Sequence, residues 1–86
     1  MKIKKKPIIL DAWQLVENYD EVDKPAWVQE ALANNDLFLS GASWYVSTLE
    51  GILNGKIGDV LIKGIEDELY ICDKTIFDKT YDIIEE

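Results

Sequence analysis

The sequence predicts an α+β fold: a curled, mainly antiparallel sheet or small open barrel of five to six strands, with one helix packed on it. Three observations carry this expectation. Apolar residues recur at helical spacing in one stretch, residues 24–34. From Leu37 onward, short β-rich runs follow one another between turn signals. The chain has 86 residues, 48% hydrophobic and 30% charged, which is room for a single domain over 1–86 with one modest core.

Residues 3–16 alternate loosely and predict a first strand, whose opening residues 1–6 are lysine-rich. Ile8, Leu10 and Ala12 share one face; Ile9, Asp11, Trp13 and Leu15 share the other. Pro7 belongs near the strand's start or on an edge, because it has no N–H to donate. Glu17 to Asp23 reads as an acidic loop. Asp23 is the expected N-cap and Pro25 fits the first turn of a helix over about 24–34. Trp27, Val28, Ala31 and Leu32 form its apolar stripe, and Asn34-Asn35 stop it.

Five further strands are expected: Leu37–Leu39, Trp44–Leu49, Ile52–Lys56, Val60–Lys63 and Glu68–Cys72. Turn signals divide them at Ser40-Gly41-Ala42, Glu50-Gly51, Gly58-Asp59 and Gly64 to Asp67. Asp73 to Phe77 reads as an N-capped helical turn near 73–78, plugged by Phe77. Tyr81 to Ile84 reads as a last strand, before a solvated Glu85-Glu86 end.

Charge and residue types narrow the chemistry. The net charge is −8, with nine basic and 17 acidic residues; every basic residue is lysine, and there is no His. Lys2, Lys4, Lys5 and Lys6 open the chain, so residues 7–86 set 17 acids against five lysines. Such a body repels nucleic acid, and no direct nucleic-acid binding is expected. The basic arm reads as an edge strand kept unpaired by lysine. Without His there is no Ser-His-Asp or Cys-His pair and no imidazole metal site. No P-loop is present. The expectation is therefore no enzyme, no cofactor, no catalytic residue and no metal ligand. Cys72 is the single cysteine, which excludes an internal disulfide and reads as a structural thiol in a reducing, cytoplasmic setting. No run is long enough to span a bilayer, and Ile8-Ile9-Leu10 is too short for a signal peptide's apolar region.

Candidate partner-binding residues remain. Trp13 and Trp44 are strand tryptophans whose burial the pattern does not settle, and either one half-exposed would mark a protein-binding patch. Trp27 reads as core. Of the acidic clusters, Asp20/Glu21/Asp23 and Glu66/Asp67/Glu68, neither has the alternating ligand spacing of a Ca²⁺ loop. The second joins the candidates as a charged hairpin tip.

One segment carries a resemblance: Ile57-Gly-Asp-Val-Leu-Ile-Lys-Gly64, then Glu68-Leu-Tyr-Ile-Cys72 and Ile76-Phe-Asp-Lys-Thr-Tyr81. It resembles a family of small phage and prophage proteins, mostly from Gram-positive hosts, with the hallmark Pro-Gly-Asp-Tyr/Trp-Ile-Ile-Lys-Gly. Lys6-Pro7-Ile-Ile with Ala12, Trp27-Val-Gln-Glu-Ala-Leu32 and Thr48-Leu-Glu-Gly51 are similar to further parts of that family. Ile57, Val60 and Ile71 depart from it, standing for Pro, an aromatic and Pro. The resemblance implies an intracellular accessory protein of the infected or lysogenic host cell, with no transferable reaction. In physical terms Gly51, Gly58 and Gly64 serve turns, Asp59 bonds back onto its own turn, and Val60 and Ile62 point inward.

The leading expectation is a module that binds a host protein of defence or replication, with acidic mimicry of nucleic acid as one version. The alternatives are a protein that sequesters a nucleotide or small ligand, and a minor virion component. A homodimer is also expected, because a small sheet with open edges and surplus tryptophan has surface to cover.

Overall fold

The computed structural model describes residues 1–4 and 6–84. In chain order these form β1 (Asp11–Gln14), a 3₁₀ turn (Tyr19–Glu21), α1 (Ala26–Ala33), β2 (Leu37–Ser40), β3 (Ser43–Thr48), β4 (Gly51–Lys56), β5 (Val60–Lys63), β6 (Leu69–Cys72) and α2 (Lys74–Thr80). The fold is α+β. Its six strands make two antiparallel sheets, ordered β1-β5-β6 and β2-β3-β4, which are not closed into a barrel. The expected Lys5 of the arm and the Glu85-Glu86 end lie outside the described residues.

Strand alternation sends side chains into two apolar clusters. Trp13, Leu61 and Ile71 are cross-strand neighbours and face the main core of Leu15, Val28, Ala31, Leu37, Trp44, Val46 and Leu61. One residue along, Ile62 and Tyr70 face the opposite way, into a second cluster with Val60 and Phe77. The β1-β5-β6 sheet is thus covered on both faces. Val60, Leu61 and Ile62 are consequently all buried, where alternation placed only Val60 and Ile62 inward.

The two sheets meet where β4 lies against β6. Gly55 makes this approach possible, since a Cβ there would lie 2.6 Å from Cγ2 of Ile71 and 3.3 Å from the Asp59 carboxylate. Gly55→Ala is expected to destabilise by about 2 kcal/mol, because the sheets must separate to admit the methyl. Urea unfolding checks this; a loss below about 0.5 kcal/mol would show that the interface yields freely.

The helices depart from expectation in instructive ways. Asp23 is not the N-cap of α1: Pro25 occupies that position, with no side-chain cap bond. The reason is steric, since a residue preceding proline is driven out of the helical region and Lys24 cannot begin a helix. Lys24 instead donates from Nζ to the carbonyls of Tyr19 and Val22, closing the acidic loop. At the other end Asn35 takes a φ of 62°. The Asp36 N–H bonds the Ala31 carbonyl, so the expected asparagine stop is a Schellman closure.

α2 is longer than a single turn. Its cap is as expected: Asp73 accepts from the Thr75 and Ile76 N–H groups at 2.9 and 3.2 Å. These bonds hold its carboxyl below the usual carboxylate range, the Ile76 N–H contributing most. A lowered folded-state pKa means that the cap contributes above the unfolded value. Its contribution disappears as the pH falls through the folded one.

Tyr81–Ile84 is not a strand. The Tyr81 N–H bonds the Phe77 carbonyl, and the two rings stack at 5.2 Å, so Tyr81 finishes the helix. The first strand is also shorter than expected. β5 turns away at Gly64, leaving the described residues before Asp11 nothing to pair with in that sheet. Gly64 lacks the positive φ that its turn role implied; the Glu68 carboxylate packs where its Cβ would be.

Candidate binding surface

The two strand tryptophans part company. Trp44 is fully buried, so it is no partner-binding anchor. Its indole meets Trp13 edge-to-face at 5.8 Å and Tyr19 at 5.2 Å, and its Nε1–H donates to the Val16 carbonyl at 3.1 Å. Alternation correctly put Trp44 and Val46 on one face of β3, and that face is covered by α1 and the other sheet. Trp13 is half-buried on β1, at the margin of the same core.

Glu66, Asp67 and Glu68 lie in the exposed β5–β6 hairpin, and two of them hold it together. Glu68 accepts the Glu66 N–H on its carboxylate at 3.0 Å and the Gly64 N–H on its carbonyl at 2.7 Å. Asp67, at a φ of 64°, pairs with Lys63 at 3.4 Å. That pair is exposed on the Asp67 side and contributes little to stability. The hairpin's geometry accounts for Asp67 and Glu68, and leaves the Glu66 side chain free of such a part.

The hairpin does bring Asp67 to α1. A shallow hollow of about 180 Å³ is lined by Trp27, Glu30, Asn34, Asp36, Lys63, Asp67 and neighbouring apolar atoms. Trp27 is half-buried here rather than wholly core. Trp27, Glu30 and Asn34 are spaced i, i+3, i+7, so their shared helix face was readable from the sequence. The hairpin was not, because it arrives through tertiary contacts; Asp36 is set beside these three residues by the Schellman closure of α1. An indole beside carboxylates suits a cationic side chain, which the ring face and the acids attract together.

A second, larger groove of about 400 Å³ runs between α1 and β2. Tyr19, Asp20, Gln29, Leu32, Leu39 and Phe38 are among its walls. It is open and apolar along its floor, with the acidic loop at its rim.

Reactive groups give no second centre. Cys72 is half-buried, and its thiol is pushed up, first by burial and then by the Asp73 and Asp59 carboxylates. Alkylation at neutral pH is expected to run slower than for a small free thiol, and to accelerate as the pH rises. A rate at or above the free-thiol value would overturn this. Tyr70 is likewise pushed up, by burial and by its 3.4 Å contact with the Tyr81 hydroxyl. Among the described residues no group of three acidic or cysteine side chains could hold a metal ion. No described helix is long and apolar enough to cross a membrane.

Compared with protein-family models, characterised proteins and solved structures, the chain matches none.

Proposed function

We propose that this chain is a phage-encoded accessory protein that acts in the host cytoplasm by binding a host protein of defence or replication, through a cationic segment of that protein. The observation that carries the reading is the hollow in which half-buried Trp27 is ringed by Glu30, Asp36 and Asp67, with Lys63 paired to Asp67 and the Glu30 and Asp36 carboxylates left to a partner's cation. The sequence resemblance supplies the phage setting, and the acidic excess of residues 7–86 supplies the field that steers a basic partner. A surface that attracts lysine or arginine is also one that a nucleic-acid-binding protein offers, so competition with nucleic acid is the natural mode of action. Carboxylates around the hollow disfavour nucleotide phosphates, which sets this reading above sequestration of a nucleotide.

The test uses exposed residues, and urea unfolding checks that the variant is folded, because Asp67 sits at a φ of 64° and pairs with Lys63. Glu30→Lys and Asp67→Lys together are expected to abolish capture of a host protein that the wild-type chain retains at low salt. Moderate salt should weaken the wild-type capture. Capture that survives both substitutions would remove the hollow from the mechanism. A thermal shift produced by nucleotides, with no captured protein, would favour the sequestering alternative.

A further inference from the structure

Two features of the fold lack a partner within it, and they are opposite in charge. The first is the N-terminal arm. Ile3 is 90% exposed, Ile8 49% and Ile9 80%, although isoleucine in a folded chain normally finds cover. Lys2, Lys4 and Lys6 stand exposed beside them, and no described residue before Asp11 belongs to a strand. The arm nevertheless continues directly into β1, so its course starts from a fixed strand.

The second is the groove along β2, an outer strand of its sheet. Ser40 pairs with Ser43 across a two-residue turn, and the Ser47 N–H bonds the Asp36 carbonyl. In an antiparallel ladder this alternation turns the N–H and C=O of Leu37 and Leu39 away from β3. Leu37 is covered by its own fold, whereas Leu39 opens on the groove with Leu32 and Phe38. An exposed strand edge beside an apolar floor is the geometry to which an extended segment adds as a further strand.

Charge selects the occupant. The loop at the groove's rim carries Glu17, Asp20, Glu21 and Asp23; Asp20 lines the groove itself beside Lys24, whose ammonium is held by the Tyr19 and Val22 carbonyls and leaves the four carboxylates in excess. The arm is the one cluster of lysines in the sequence. Pro7 stiffens it, which lowers the entropy lost on docking. Fully extended, residues 1–9 reach roughly 30 Å at about 3.3 Å per residue. The whole molecule measures 45 × 30 × 23 Å, so the arm is long enough to cross onto a neighbour.

We propose that the arm of one copy docks in the α1–β2 groove of a second copy, and that the exchange is reciprocal, giving a closed two-fold dimer. The isoleucines cover the groove's apolar floor, the lysines meet the acidic rim, and the arm's backbone pairs with the edge at Leu39. Two arms double the buried surface, toward the roughly 1,200 Å² at which stable specific interfaces begin.

Sedimentation at micromolar concentration is expected to give a dimer for the full chain and a folded monomer once residues 1–9 are removed. Lys2, Lys4 and Lys6→Glu in one variant, and Asp20→Lys in another, should each weaken self-association about tenfold. Mixing these two variants should restore dimers, because each charge then meets its opposite. Carbodiimide coupling of ¹⁴N- and ¹⁵N-labelled protein should join an arm lysine to Asp20 across isotopes. A full-length monomer, a dimer that survives loss of the arm, or arm crosslinks confined to one isotope would each overturn the proposal. These readouts involve no host protein and leave Glu30 and Asp67 untouched, so they fail independently of the proposed function.

Discussion

Trp44→Ala should cost about 4 kcal/mol, the largest loss expected of any single truncation in this chain. The side chain is fully buried, holds two edge-to-face aromatic contacts, and donates to the Val16 carbonyl. It stands opposite Gly55 in the β3–β4 ladder, so no neighbouring side chain on β4 can swing in to fill the space. A chain of 86 residues has a total stability of order 5–10 kcal/mol, so the variant should keep only about 1–6 kcal/mol and melt at a much lower temperature. Trp44→Phe keeps most of the volume and loses the indole N–H, leaving the Val16 carbonyl short of a donor. Its cost should be nearer 2 kcal/mol. Urea titrations with an unchanged slope would give both values. An alanine variant of undiminished stability that lost only a binding partner would contradict the burial argument, and would return Trp44 to the surface role that its strand position first allowed.

Trp44 also shows what a sequence can and cannot disclose. Alternation placed it with Val46 on one face of β3, and that was right. Whether a face meets solvent or a second layer depends on parts of the chain that alternation does not see. The same limit hid the hollow beside Trp27, since Asp67 and Lys63 reach it from a hairpin distant in sequence. Local chemistry was legible. Asp73 capped its helix, Asn35 closed α1, and the β5 bounds were read to the residue, because each rests on neighbours within a few positions. Errors came where a pattern outran its partner. Residues 3–10 alternate like a strand, but no described residue before Asp11 finds a ladder, and Tyr81 reads as strand until its stacking on Phe77 is known.

Asp59→Ala is the second large effect, expected at about 3 kcal/mol. The residue is 6% exposed, and its carboxylate accepts two backbone N–H groups at 3.0 Å, from Lys56 at the end of β4 and Lys74 at the start of α2. Its own N–H bonds the Lys56 carbonyl, and its carbonyl accepts from Leu15 beyond β1. One residue therefore ties three elements together, and Gly58 before it, at a φ of 100°, lets the chain enter that position. The bond back onto the turn was foreseeable from Gly58-Asp59; the reach to Lys74 was not. Alanine leaves both donors unanswered in a part-buried site. Asparagine keeps one oxygen and turns an N–H₂ toward the other donor, so its loss should be somewhat smaller, about 2 kcal/mol. Amide exchange localises the effect: the Lys56 and Lys74 amides should exchange faster in either variant, beyond what the lower global stability explains. A loss below about 0.5 kcal/mol for alanine would mean that other groups satisfy these donors. The Gly-Asp pair would then be a turn former alone, and the coupling of α2 to the β4–β5 turn would have to rest on Phe77 and its apolar neighbours.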